Sequence, residues 1–183
     1  KRGARFSYSD PGYILLATII ERVTGESLPR AVRGELRLDR LGLSGTYWEQ
    51  YEPAKGRQRA HQRFEGLDTY GWSPTMDLYG GGGLVSTTQD MATFMGALLQ
   101  GKVFRRADTL ATMQSADGLP ADSTYRLGIF AYDFDGVAAA GHSGFWGTLV
   151  ATEPLSGPTN AGAVAGRGVE RAVRIVLMRH WCA

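Results

Sequence analysis

The spacing of hydrophobic residues predicts that a helix begins soon after the start of the chain. Residues 11–24 carry apolar side chains at helical intervals, namely Tyr13, Ile14, Ala17, Ile20 and Val23. Pro11 suits the first helical position, where its missing N–H costs nothing, which places Asp10 at the N-cap. Gly25 follows as a C-terminal stop signal. The residues before this helix read as an extended lead-in.

The same pattern predicts three further helices in the first part of the chain. A short helix runs from Ser27 to about Leu38, and a weaker one lies around 107–115. Between them, Thr87 and Asp90 match a capping box that begins a longer helix. The apolar face of that helix contains Met91, Phe94, Met95, Leu98 and Leu99.

The pattern changes to strands near residue 124. Short segments rich in β-forming residues lie at 125–132, 137–141, 148–152 and 161–165. A helix over 169–181 ends the chain. Successive strands separated by turns predict an antiparallel meander with the last helix on one face. The fold class is therefore α+β, with a mainly helical part, 1–120, and a strand-rich part, 121–183, in one domain.

Composition narrows the function classes. The 183 residues are 43% apolar, enough for one domain with a core. The net charge is +2 with no basic run longer than a dipeptide, which argues against nucleic acid as a partner. The one cysteine, Cys182, and three scattered histidines show no metal-ligand spacing, so we expect no metal and no cofactor. No apolar run has the length of a membrane span.

An irregular stretch and a glycine run separate the second helix from the capping box. Residues 49–79 show little periodicity, which in a compact domain is typical of a functional segment, here one bordering a substrate cleft. Gly80–Gly83 is not followed by the Gly-Lys-Ser/Thr of a phosphate-binding loop. We therefore expect backbone with positive φ, or a close approach of neighbouring atoms, at these glycines.

Two short motifs carry the candidate chemistry. Tyr8-Ser9-Asp10 precedes the first helix, and His142-Ser143-Gly144 lies between two predicted strands. Taken alone, they fit a half-buried aromatic ring, a helix cap and a surface histidine. Because Phe145 stands where a glycine would be needed, Ser143 does not belong to a Gly-x-Ser-x-Gly nucleophile motif.

Together the motifs resemble those of the serine β-lactamase and penicillin-binding-protein superfamily. Tyr8-Ser9-Asp10 resembles its Tyr-x-Asn element, and His142-Ser143-Gly144 resembles Lys-Thr-Gly in its His-x-Gly form. The segment 83–91 also resembles that family's sequence after the cleft loop. The resemblance is closest to the branch of class C β-lactamases, D-Ala-D-Ala carboxypeptidases and related esterases. It covers nearly the whole chain and implies a β-lactamase/transpeptidase-like α/β sandwich.

The resemblance also implies a function: hydrolysis of a β-lactam, D-Ala peptide, ester or amide through a serine acyl-enzyme. Tyr8 would relay a proton between nucleophile and leaving group, and Asp10 would orient that relay. His142 would supply a cation or hydrogen-bond donor at the cleft edge. Gly144 would leave room for the substrate, and the Phe145 N–H would donate to the oxyanion. A periplasmic or secreted location follows from the family, although a cytoplasmic one stays open.

The family's nucleophilic motif, Ser-x-x-Lys, is absent from this sequence. Lys1 has no residue three positions before it, Lys55 follows Glu52 and Lys102 follows Leu99. In the family this motif lies upstream of the tyrosine motif, which implies that the chain is the C-terminal part of a longer hydrolase and is inactive alone. An unpaired sheet edge and an apolar face would then favour a complementary N-terminal segment, or self-association.

Asp10 departs from the family, in which asparagine is usual. An ionised aspartate only accepts hydrogen bonds, would hold a nearby lysine in its ammonium form, and would repel a substrate carboxylate. This favours esters or amides over β-lactams and peptide carboxylates. Two alternatives remain: a non-catalytic member of the family that binds peptidoglycan-like ligands, and a generic α/β domain with chance motifs.

Overall fold

The computed structural model describes residues 6–76, 79–134, 136–153 and 159–163. In this part of the chain the helices are α1 (Asp10–Thr24), α2 (Leu28–Glu35), α3 (Thr88–Leu99) and α4 (Ala107–Gln114), with a 3-10 turn at Pro74–Met76. The strands are β1 (Tyr47–Trp48), β2 (Arg63–Phe64), β3 (Leu67–Asp68), β4 (Leu84–Val85), β5 (Phe130–Phe134), β6 (Val137–Ser143), β7 (Thr148–Thr152) and β8 (Thr159–Ala163). The helix predicted over 169–181 lies outside the described residues.

The start of α1 corrects one prediction. Ser9, not Asp10, is the N-cap: its backbone is extended, and its hydroxyl accepts a hydrogen bond from the Gly12 N–H at 3.2 Å. Asp10 is the first helical residue, so its carboxylate lies in the first turn, where negative charge is favourable. Gly25 ends the helix at φ 71°, as predicted.

The buried face of α1 is narrower than its apolar pattern predicts. Ala17 is buried, and Tyr13 and Glu21 beside it are partly buried. Three residues of the predicted stripe, Ile14, Ile20 and Val23, are exposed instead, as are their neighbours Leu15, Leu16 and Ile19. The described part of the chain thus buries only one side of a helix that is apolar on most of its surface.

Strands β5 to β8 form the predicted antiparallel meander, in the order β5-β6-β7-β8. Phe130 pairs with Gly141, and His142 pairs with Val150. The first strand begins later than predicted, because Tyr125 to Ile129 forms a turn with Gly128 at φ 80°. Among the described strands, β5 and β8 lie at the edges of the sheet.

Helix α3 packs on the sheet through the apolar face predicted for it. Met95 and Leu98 are buried in a cluster with Val103, Ile129 and Ala140. Its N-cap is Thr87, whose hydroxyl accepts from the Asp90 N–H at 3.0 Å.

The second half of the predicted capping box at α3 is wrong. The Asp90 carboxylate does not turn back to the cap but accepts from the Gly45 N–H and the Thr46 hydroxyl, each at 2.8 Å. A Cβ at Gly45 would lie 2.7 Å from Thr87 Cγ2, so only glycine fits there. These contacts fix the start of α3 against the loop that leads into β1.

Two glycines of the run have the positive φ expected there, and Gly80 also lies close to neighbouring atoms. Gly80 and Gly83 have φ of 84° and 86°, and a Cβ at Gly80 would lie 2.6 Å from the Tyr13 carbonyl oxygen. The following strand, β4, pairs with β1, and the irregular stretch before the glycines contains only the short β2–β3 hairpin and the 3-10 turn. The glycine run thus lies directly against α1.

Candidate active site

A cleft of about 750 Å³ lies between the start of α1, the glycine run and the turn that joins β6 to β7. It is lined by Tyr8, Asp10, Trp48, Gln62, Gly80 to Leu84, Phe130, His142 to Trp146 and Thr148. All five site residues predicted from the sequence therefore border one cavity, although the two motifs are more than a hundred positions apart. Their catalytic roles stay predictions.

The partly buried carboxylate of Glu21 holds helix α1 beside this cleft. Glu21 accepts hydrogen bonds from the Tyr79 hydroxyl at 2.5 Å and from the Leu28 N–H at 2.7 Å. The Tyr79 hydroxyl, followed by the Leu28 N–H, holds the pKa of Glu21 below its usual value. With the close approach of Gly80, these bonds fix the helix whose first turn follows Tyr8.

Tyr8 lies in a cluster of aromatic rings at the cleft wall. Its ring centroid is 5.5 Å from that of Tyr125, 5.8 Å from that of Tyr13 and 6.4 Å from that of His142. Edge-to-face and tilted contacts of this kind stabilise a defined ring orientation. The cluster therefore brings the tyrosine of one motif next to the histidine of the other.

His142 contacts protein groups through both ring nitrogens. Its Nδ1 is 2.7 Å from the Ser143 carbonyl oxygen, and its Nε2 is 3.3 Å from the Tyr125 hydroxyl. Burial lowers the pKa of His142, and the bond to the Ser143 carbonyl opposes that shift only in part. The neutral imidazole is thus favoured. The predicted donation to a substrate would require His142 to give up one of these contacts.

The turn after His142 is closed by backbone hydrogen bonds. The Gly144 N–H donates to the Thr148 carbonyl at 2.8 Å, and the Gly147 N–H donates to the Gly144 carbonyl at 3.0 Å. A Cβ at Gly144 would overlap Thr148 Oγ1, so any other residue here would displace that side chain, apart from any substrate. Phe145, between these bonds, stacks on Phe64 of the β2–β3 hairpin at 6.0 Å.

The described lining of the cleft contains few charged side chains. Among the described residues that line the cleft, Asp10 is the one carboxylate, and no lysine or arginine is present. Aromatic rings form much of the remaining wall: Tyr8, Trp48, Phe130, Phe145 and Trp146. The described part of the lining is therefore largely aromatic and carries a single carboxylate.

Sequence reasoning missed several of the surrounding groups. Trp48 and Phe130 line the cleft, and Tyr125 contacts His142 from 17 positions upstream. Tyr125 could have been found only from the register of the β5–β6 hairpin, because the pairing of Phe130 with Gly141 places the segment before β5 beside His142. That register cannot be read from the alternation of apolar residues alone, because the turn at Gly128 shifts the start of the strand.

The described residues contain neither a candidate metal site nor a candidate membrane span. In that part of the chain, no group of three or more histidine, cysteine or acidic side chains is placed to hold a metal ion. None of its helices is both long enough and apolar enough to cross a membrane.

Residues 1–170 match the family model described as Beta-lactamase. The match covers most of the chain, so the chain belongs to the β-lactamase family. This confirms the superfamily resemblance that was based on the tyrosine and histidine motifs.

Solved structures share the fold. A penicillin-binding protein from Bacillus halodurans is 20% identical with a TM-score of 0.76, covering 97% of this chain and 57% of that chain. A D-amino acid amidase from Ochrobactrum anthropi SV3 is 22% identical with a TM-score of 0.79, covering 96% and 58%. A D-stereospecific amidohydrolase from Streptomyces sp. is 25% identical with a TM-score of 0.76, covering 93% and 54%. The chain thus spans somewhat over half the length of each, and the β-lactamase/transpeptidase-like fold is confirmed.

Proposed function

We propose that this chain supplies one wall of the active site of a serine acyl hydrolase that acts on uncharged esters or amides. The observation that carries the proposal is the shared cleft, in which Tyr8 and His142 lie 6.4 Å apart, ring to ring, with Asp10 on the same lining. Tyr8 relays the proton between the nucleophile and the leaving group. The nucleophilic serine and its lysine come from a Ser-x-x-Lys segment upstream of Lys1.

The substrate class follows from the charge of the cleft. A substrate with a carboxylate near the reacting bond would meet Asp10. The proposed upstream lysine would pair with Asp10 in its ammonium form, and the described lining residues include no further lysine or arginine to balance the substrate. The aromatic wall favours an apolar acyl or leaving group. The names of two of the similar structures, an amidase and an amidohydrolase, support the amide alternative.

The test is covalent labelling. The protein is purified both as 1–183 and as the longer product encoded upstream, treated with a fluorophosphonate, and examined by denaturing intact mass. We expect one adduct per longer polypeptide, on the serine of its Ser-x-x-Lys motif, and none on the 19.9 kDa chain. Changing that upstream serine to alanine is the matched control and should abolish the adduct.

Two results would contradict the proposal. An adduct within residues 1–183 would mean that the nucleophile had been assigned wrongly. An upstream sequence without Ser-x-x-Lys, together with an unlabelled longer protein, would favour the non-catalytic binding protein of the same fold instead.

A further inference from the structure

A row of three side chains crosses from α1 to the sheet behind the cleft wall. The Tyr13 hydroxyl is hydrogen-bonded to the Tyr125 hydroxyl, which in turn lies 3.3 Å from His142 Nε2. On the other side of the ring, His142 Nδ1 lies 2.7 Å from the Ser143 carbonyl oxygen. Neither tyrosine belongs to the motifs of the proposed site.

The chemistry of these groups fixes the direction of every bond in the row. A carbonyl oxygen only accepts, so His142 Nδ1 carries a proton and donates it to Ser143. In a neutral imidazole the other nitrogen then accepts, which makes the Tyr125 hydroxyl its donor. Because the Tyr125 proton is used in this way, Tyr13 donates to the Tyr125 oxygen.

The surroundings support this arrangement. Tyr125 is 6% exposed, and its ring packs edge-on against Phe130 at 4.5 Å and against His142 at 5.8 Å. Burial raises the pKa of Tyr125 far above its usual value, so the phenol stays protonated and able to donate. A buried hydroxyl without a partner would cost free energy, which favours keeping this bond.

We propose that Tyr125, supported by Tyr13, is a positioning residue that holds His142 as the Nδ1–H tautomer and thereby fixes the Ser143-Gly144 backbone at the cleft edge. Free histidine in water prefers the opposite tautomer, with the proton on Nε2, so the row selects the minor form. The bond from Nδ1–H to Ser143 ties the ring to the backbone that leads into Gly144 and Phe145. That this edge lies in a hydrolytic site rests on the function proposed above.

The first test is spectroscopic and needs no activity. In long-range ¹H–¹⁵N spectra of the ¹⁵N-labelled protein at neutral pH, we expect His142 to show a protonated Nδ1 and an unprotonated Nε2. Signals of the other two histidines, His61 and His180, are identified by their removal in His61→Gln and His180→Gln. A His142 with its proton on Nε2 in the unmodified protein would overturn the inference directly, without any variant.

Substitution separates positioning from packing. Tyr125→Phe keeps the ring contacts but removes the donor to Nε2, so the fraction of His142 in the Nε2–H form should rise, although the Ser143 carbonyl still accepts from Nδ1–H. Tyr13→Phe leaves the Tyr125 hydroxyl in place and should cause a smaller change. Tyr51→Phe, at an exposed tyrosine outside the cleft, is the matched control and should cause none. An unchanged tautomer in Tyr125→Phe, with retained ring-current shifts, would also overturn the inference.

The kinetic test uses the longer protein that carries the nucleophile. Tyr125→Phe should lower kcat about tenfold with KM nearly unchanged. In metal sites, loss of the group that orients a histidine costs about tenfold or more, and we take the lower end of that range. An unchanged kcat would show that the tautomer has no part in the reaction. Should no fluorophosphonate adduct form at all, the proposed function fails, whereas the tautomer measurement still decides the positioning of His142.

Discussion

At the residue scale, a substitution of Asp10 tests whether the cleft disfavours negatively charged substrates. Since Ser9 caps α1, Asp10→Asn leaves the cap intact and removes only the carboxylate from the cleft. Two unit charges about 4 Å apart in water repel by about 1 kcal/mol. We therefore expect Asp10→Asn to raise kcat/KM for a carboxylate-bearing substrate such as nitrocefin about fivefold relative to a neutral p-nitrophenyl ester.

The measurement compares the two substrates in the longer protein. Asp122→Asn, at an exposed carboxylate outside the cleft lining, serves as the control and should leave the ratio unchanged. The idea that Asp10 excludes anionic substrates fails if the ratio stays the same, or moves toward the ester, in Asp10→Asn.

At the element scale, α3 depends on its cap. The Thr87 hydroxyl accepts from the Asp90 N–H at 3.0 Å, and loss of such a cap costs about 1 kcal/mol. Thr87→Ala should therefore lower the free energy of unfolding by about that amount, seen as a lower midpoint in urea. Thr88→Ala, at the exposed first residue of the helix, should change stability by much less. Equal losses in both variants would show that the cap does not stabilise α3.

The helices also show how far local sequence determines the elements. The Thr-x-x-Asp pattern predicted the start of α3, because the cap bond forms within one turn. Ser9 and Asp10 are both good capping residues, so the pattern could not choose between them. No local pattern encodes contacts between distant segments. Such contacts decide that the Asp90 carboxylate binds Gly45 and Thr46, and that β5 starts late.

The same distinction holds for the site. The motifs predicted Tyr8, Asp10, His142, Gly144 and Phe145, and the fold brings all five to one cleft. Tyr125 escaped prediction because its contacts with His142 and with Tyr13 of α1 join segments that are far apart in the sequence. Five residues that line the cleft belong to recognisable motifs, whereas Trp48 and Phe130, which also line it, and Tyr125, which contacts His142, do not.

At the scale of the whole molecule, the exposed face of α1 is apolar enough to bind another protein segment. Leu15, Leu16, Ile19 and Val23 are 65, 51, 54 and 80% exposed, which makes a continuous apolar strip along the helix. Surfaces of this kind are covered in stable proteins, and here we propose that the segment with Ser-x-x-Lys covers it. Without that segment, the chain 1–183 should self-associate through this strip.

Sedimentation velocity of 1–183 at micromolar concentration tests the association. The double variant Leu16→Glu/Ile19→Glu places two charges in the strip and should shift the protein toward a 19.9 kDa monomer. Leu67→Glu, at a similarly exposed leucine on the β2–β3 hairpin, should leave the oligomers unchanged. If unmodified 1–183 is monomeric, the strip does not drive association. If Leu67→Glu dissociates the oligomers as well, the contact lies elsewhere, and α1 is not the surface that the upstream segment covers.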